Sequence, residues 1–263
     1  MSPLILVSLP LDMMTFHHWI TDRNFGEDEG RALHHLLCEC FGKGMLQPFR
    51  LMVASGAKVG NLYAYTRADR DTLIETARET GLPDALALCR PEQLTAKEMP
   101  LEWRTGRRIA FDLRVRPVKR LIKPAGKFAK GAEIDAYLVE KLRRFPEQKG
   151  IEGDSIVARA DIYQQWLIER LGEAAEILNG KLARFAQVKV ARRGSMRLEG
   201  PDAILHGELV VRDSGRFAEC LARGVGRHTA YGYGMLLLRP ARWGIQRITT
   251  PCYSVSTTCR AKH

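Results

Sequence analysis

The chain has 263 residues, 45% hydrophobic and 27% charged, enough for one large domain or two small ones around a real core. No apolar run approaches the roughly 20 residues that cross a bilayer, and the short apolar opening Ser2–Pro10 lacks a basic start and a cleavage site, so a soluble, cytoplasmic protein without a membrane partner is expected. The balance of 41 basic against 30 acidic residues gives a net charge of +11, which points to a polyanionic partner, because each neutralised phosphate releases counterions.

In chain order, Leu4–Leu11 reads as a strand and Glu29–Phe41 as a helix. Phe49–Ser55 and Asn61–Thr66 form a hairpin around Gly56 and Gly60. Asp69–Thr80 is a helix stopped by Gly81 and Pro83, and the stretch to Thr105 supplies a last strand. A second unit opens at Arg107–Arg116, where Ile109, Phe111, Leu113 and Val115 alternate with Ala110, Asp112, Arg114 and Arg116, predicting one buried and one charged face. Helices follow at Glu133–Arg144 and Asp161–Leu171, and strands at Leu182–Arg192 and Ala203–Arg212. A short helix, Gly215–Ala222, and a strand, Tyr233–Arg239, complete the unit. The order β-α-β-β-α-β, written twice, predicts an α+β fold of tandem ferredoxin-like (RRM-like) domains. The expected domains are 1–105 and 106–240, with 241–263 a basic tail of no assigned role.

The positive charge is clustered. Between Arg104 and Lys130 lie ten Lys or Arg and a single acid, Asp112. Arg114, Arg116, Lys119, Arg120, Lys123 and Lys127 are the candidate RNA-binding residues of that patch, with a solvated cationic face as the plainer alternative. The six cysteines have no CxxC pair or zinc-like spacing, so free thiols and no structural metal are expected.

Two segments carry candidate chemistry. On the first helix Leu33, Leu36, Leu37, Cys40 and Phe41 form an apolar stripe. His34 falls roughly 90° from its centre, at the border, with Arg31 and Cys38 on the same flank and His35 pointing away from the core. A border histidine can exchange a proton near neutral pH, or it can be a boundary residue without a role. The second segment is Arg223-Gly-Val-Gly-Arg-His-Thr-Ala-Tyr-Gly-Tyr-Gly-Met235. A helix precedes it and a strand follows, the reverse of a dinucleotide-binding loop, which disfavours a small-molecule enzyme binding a phosphorylated ligand there. So little side chain lets backbone approach backbone closely, with Arg227 and His228 adding charge for RNA. Tyr231 and Tyr233 offer faces for bases or for core packing.

Gly224-Val-Gly-Arg-His-Thr-Ala-Tyr-Gly-Tyr-Gly-Met-Leu-Leu-Leu-Arg-Pro240 resembles the C-terminal glycine-rich signature of the CasE (Cse) family of CRISPR repeat endoribonucleases. Phe111-Asp-Leu-Arg-Val-Arg-Pro-Val-Lys-Arg-Leu121 is similar to that family's mid-chain strand, and Leu33-His-His-Leu-Leu37 falls where it keeps its first-helix histidine. The resemblance runs in order over about residues 4–240 and leaves the tail uncovered. It implies tandem ferredoxin-like domains of the RAMP type, cleavage of CRISPR repeat RNA at a hairpin base, and retention of the product in the type I-E Cascade complex. There the chain would touch a neighbouring backbone subunit, and target DNA only through the complex.

By position, His34 would be the catalytic histidine. Some family members carry a tyrosine three residues earlier, where this chain has Arg31, which keeps its proton at neutral pH but can hold the phosphate. The second catalytic group is thus left open. RNA supplies its own nucleophile, the 2′-hydroxyl, so no metal or other cofactor is expected, and the products would be a 2′,3′-cyclic phosphate and a 5′-hydroxyl. The alternative is a scaffold of the same fold that binds the RNA without cutting it.

Overall fold

A computed structural model of the chain describes residues 2–126, 128–144, 156–191 and 197–241. β1 (Ile5–Asp12) buries alternate residues Ile5, Val7, Leu9 and Leu11. Asp12 ends the strand, and its carboxylate accepts the Thr15 amide at 2.8 Å, starting α1 (Met13–Asp22). This helix is absent from the sequence reading, although Met13, Phe16, Trp19 and Ile20 form its buried stripe. α2 (Glu29–Phe41) begins at Asp28, whose carboxylate accepts the Arg31 amide at 3.0 Å. The expected stripe of Leu33, Leu36, Leu37, Cys40 and Phe41 is buried.

β2 (Phe49–Met52) and β3 (Val59–Thr66) form the expected hairpin, followed by α3 (Arg70–Thr80), α4 (Pro83–Cys89) and β4 (Thr95–Glu98). The second half contains β5 (Arg108–Val115), a small ribbon of β6 (Val118–Arg120) with β7 (Glu133–Asp135), then α5 (Ala136–Arg144) and α6 (Ile156–Leu171). β8 (Ala175–Ala191), β9 (Arg197–Val211), α7 (Ser214–Arg223) and β10 (Leu236–Pro240) complete it. No helix among the described residues is long and apolar enough to cross a membrane.

The two four-stranded sheets run β2-β3-β1-β4 and β10-β5-β9-β8, with every neighbouring pair antiparallel. Numbering each sheet's strands by chain order gives 4-1-3-2 both times, the ferredoxin-like arrangement. The α+β fold expected from the element order is the fold observed. β8 and β9 pair beyond the reach of β5, from Ala186↔Asp202 out to Ala191↔Arg197, so a two-stranded ribbon extends past the sheet.

The outer faces of the sheets meet. Leu4, Leu6, Tyr63 and Tyr65, from the first sheet and its margin, pack into the apolar cluster of the second. The Tyr65 hydroxyl donates to the Leu236 carbonyl at 3.0 Å. Arg50 of β2 pairs with Asp112 of β5, both nearly inaccessible to solvent. This corrects the expectation of an open charged face on β5, because strand alternation puts Asp112, Arg114 and Arg116 on the face the first sheet covers.

Candidate functional site

The glycine-rich loop folds back onto α2. Gly234 at φ +78° donates its amide to the Arg114 carbonyl at 2.7 Å and accepts the Val225 amide at 2.8 Å. A Cβ on Gly234 would come within 2.6 Å of the Val225 carbonyl, so only glycine closes the loop this way. A single 3-10 turn, Thr229–Tyr231, then brings the chain against the start of α2. The Thr229 hydroxyl accepts from the Gln47 side chain at 2.9 Å, tying the loop to the first unit. At Gly30 a Cβ would meet the Tyr231 carbonyl at 2.6 Å, which explains a glycine inside the first turn of a helix.

This closure brings the two candidate segments together. The His34 and Tyr231 rings lie 5.1 Å apart at an angle of 49°. His34 also bonds the Ala230 carbonyl, and the Cys38 thiol approaches its Nδ1 at 3.8 Å. Burial pushes the His34 pKa below its ordinary 6.5, and the nearby His35 and Lys43 act in the same direction against the Ala230 hydrogen bond. The imidazole is therefore mainly neutral at pH 7. A neutral imidazole carries one ring nitrogen without a proton, and that nitrogen can accept one.

Rings continue on both sides. His35, expected to point away from the core, instead tilts against Phe25 at 5.0 Å, because the segment before α2 folds over that flank. Arg31, one turn before His34, holds its guanidinium 5.6 Å from the centre of the Phe25 ring. Beyond the histidine, Tyr231 lines an open cleft of about 330 Å3 with Gln47, Glu133, Arg227, His228 and Thr229. Arg227 pairs with Glu133, and His228 Nε2 lies 3.4 Å from the same carboxylate. Glu133 is thus the counter-charge of the cleft, a role the sequence reading did not assign.

The basic patch divides. Arg114 makes a bidentate pair with Asp202 at 2.9 and 2.8 Å and stacks on Tyr233, whose ring centre is 4.7 Å away. Burial pushes the Arg114 pKa down, but the Asp202 hydrogen bonds more than offset this, so its charge is committed there. Arg116 is 6% exposed, lies against Gly200 and over Tyr233, and its Nε has no hydrogen-bond partner among the described residues. Arg114, whose side chain keeps partial exposure, and the buried Arg116 are thus held by groups of the second unit, Asp202, Tyr233 and Gly200, rather than standing free on an open strand face.

Lys119 is half-buried and pairs with Glu169 at 3.1 Å, while Arg120 is exposed and donates to the Gly131 carbonyl at 3.2 Å. Lys123 is exposed. Lys127 and residues 242–263 of the tail lie outside the described residues. Of the tyrosines, Tyr233 is buried packing and Tyr231, at 39% exposure, is the one that faces the cleft.

The fold is similar to that of Cse3 from Thermus thermophilus bound to an RNA representing a pre-cleavage complex, with TM-score 0.61 and 18% identity over 90% of this chain and 100% of that one. It is equally similar to CRISPR endoribonuclease Cse3 bound to a 19-nucleotide RNA, with TM-score 0.61 and 20% identity over the same shares. A chain of a CRISPR RNA-guided surveillance complex matches with TM-score 0.53 and 17% identity, again over 90% of this chain and 100% of that one. No curated protein sequence matches. A family model described as CRISPR associated protein matches residues 6–240, which carry both sheets, α2 and the glycine-rich loop. The chain belongs to this family of CRISPR-associated proteins.

Proposed function

We propose that the chain is a metal-independent endoribonuclease that cuts CRISPR repeat RNA at the base of a hairpin and stays bound to the product within Cascade. The observation that carries this reading is His34, a partly accessible imidazole held against the glycine-rich loop beside an open cleft. Cse3 bound to a pre-cleavage RNA and the surveillance-complex chain share the fold, which supports the same substrate class and assembly. Assembly there makes the protein cytoplasmic, in contact with other Cascade subunits and with target DNA only through the complex. Residues 1–105 and 106–240 act as the two domains, a division supported by one four-stranded sheet in each.

In this mechanism the repeat RNA supplies a 2′-hydroxyl, and the acceptor nitrogen of His34 takes its proton as the oxygen attacks phosphorus in line. Arg31, on the same flank of α2, steadies the charge growing on the phosphate oxygens. Arg120, Lys123, Lys119, Arg227 and His228 hold the stem through its backbone, since A-form RNA hides its base edges in a deep, narrow groove. The product is a 2′,3′-cyclic phosphate.

The test is incubation of the purified protein with a synthetic repeat hairpin in excess EDTA, followed by analysis of the ends. A single cut giving a cyclic phosphate and a 5′-hydroxyl is expected. Intact RNA bound to protein would instead identify a scaffold.

A further inference from the structure

His34 accounts for one proton, and the 5′-oxygen that leaves must receive another. A guanidinium is a poor proton donor to a leaving oxygen, and that of Arg31 rests on the Phe25 ring. The side chains shown against the His34 ring are His35, Cys38 and Tyr231, and of these Tyr231 alone lines the cleft. Its position is firmly set. The Tyr231 amide donates to the His228 carbonyl at 2.9 Å, its own carbonyl abuts Gly30, and the preceding carbonyl, of Ala230, is the one that orients His34. The same short turn therefore positions the imidazole and presents the phenol.

We propose that Tyr231 is the general acid of the site, giving its phenolic proton to the departing 5′-oxygen while His34 accepts the 2′ proton. The inference rests on the nuclease reading above. The 2′-oxygen forms a bond to phosphorus, and the bond from phosphorus to the 5′-oxygen breaks, its electron pair staying on that oxygen. The 5′-oxygen takes the phenol's proton, so the step leaves an imidazolium beside a phenolate. Return of one proton from the first to the second, through solvent in the open cleft, restores both residues. No further reactant is required.

The experiment is single-turnover cleavage in EDTA by the wild type, Tyr231→Phe and His34→Ala, on ordinary repeat hairpin and on RNA with sulfur in place of the bridging 5′-oxygen. A thiolate leaves without protonation, so a defect in the general acid disappears on the sulfur substrate. Phenylalanine keeps the ring against His34 and removes only the hydroxyl. Tyr231→Phe is expected to cut ordinary RNA about 100-fold more slowly, the usual worth of one general acid, with unchanged hairpin affinity. It is expected to recover to near the wild-type rate on sulfur RNA, while His34→Ala stays slow on both. An equal deficit on both substrates, or a rate on ordinary RNA within about threefold of wild type, would overturn the role of Tyr231 and leave the nuclease reading standing. A wild type inert on both substrates would overturn the two together.

Discussion

Arg50 and Asp112 join the two sheets through an ion pair enclosed between them, with His206 Nε2 on the second carboxylate oxygen at 2.8 Å. Burial pushes the Asp112 carboxyl up, but the His206 hydrogen bond and the Arg50 charge outweigh it and hold the group below its ordinary range. Burial lowers the Arg50 pKa, yet a guanidinium starts so high that it remains charged. Arg50→Ala should therefore destabilise the chain by about 3 kcal/mol, because it removes the guanidinium paired with a buried carboxylate and leaves His206 alone against it. Denaturant unfolding measures this, and Arg50→Leu with Asp112→Leu should lose less than the single change.

The same carboxylates set the acid limb of stability. Asp112 and Asp202 both titrate below the ordinary 3.8, Asp202 because the hydrogen bonds and charge of Arg114 overcome its burial. A depressed carboxyl stabilises the fold above its unfolded pKa, and the contribution fades as pH falls from near 4 through the folded value. Asp135, raised by burial, works in the opposite sense and partly offsets this. Thermal melts from pH 6 to pH 2 should fall steeply below pH 4, and Asp202→Asn should flatten that fall.

For catalysis, His34→Ala is expected to slow cleavage about 10²–10⁴-fold at nearly constant RNA affinity. The lowered pKa of His34 puts its base form in the majority well below pH 7. The rate should therefore rise with pH through a midpoint under 6.5 and level off by neutrality. A midpoint above 7 in the single-turnover profile would remove His34 as the base.

Gly30→Ala should behave unlike most helix substitutions of this type. An alanine usually gains about 0.5–1 kcal/mol in a helix, but here its methyl group would press on the Tyr231 carbonyl at 2.6 Å. Loss of cleavage together with a lower melting temperature is expected, whereas a stabilised and active variant would show that the loop is not seated on α2.

Charge reversal separates the halves of the basic patch. Arg120→Glu and Lys123→Glu should weaken hairpin binding and each reduce the salt slope by about 1, as for a lost phosphate contact. Arg114→Ala should act mainly on stability, because it strips Asp202 of its bidentate partner. A salt titration with a parallel melt distinguishes the two.

Much of this was legible in the chain. The apolar opening run, the alternation in β5 and the stripe on α2 gave element types, and the element order gave both ferredoxin-like sheets. α1 was missed although Asp12, Phe16, Trp19 and Ile20 supply a cap and a stripe, because the preceding strand runs into it without a break. Local pattern could not reveal that the charged side of β5 is covered, since its cover comes from Arg50 and Tyr65, far away in sequence. His34 and the glycine-rich loop each stood out alone. Their contact became visible only through Gly30, whose missing side chain has no meaning until Tyr231 lies beside it.

The seating of the late loop on the early helix has a consequence for biosynthesis. A ribosome delivers the histidine long before it delivers the turn at Thr229–Tyr231 that orients the ring. A nascent or prematurely ended product thus carries the imidazole without its setting. If cleavage proceeds as proposed, it would await the late loop and the docking of the last strand, β10, beside β5, and unfinished copies would leave cellular transcripts intact.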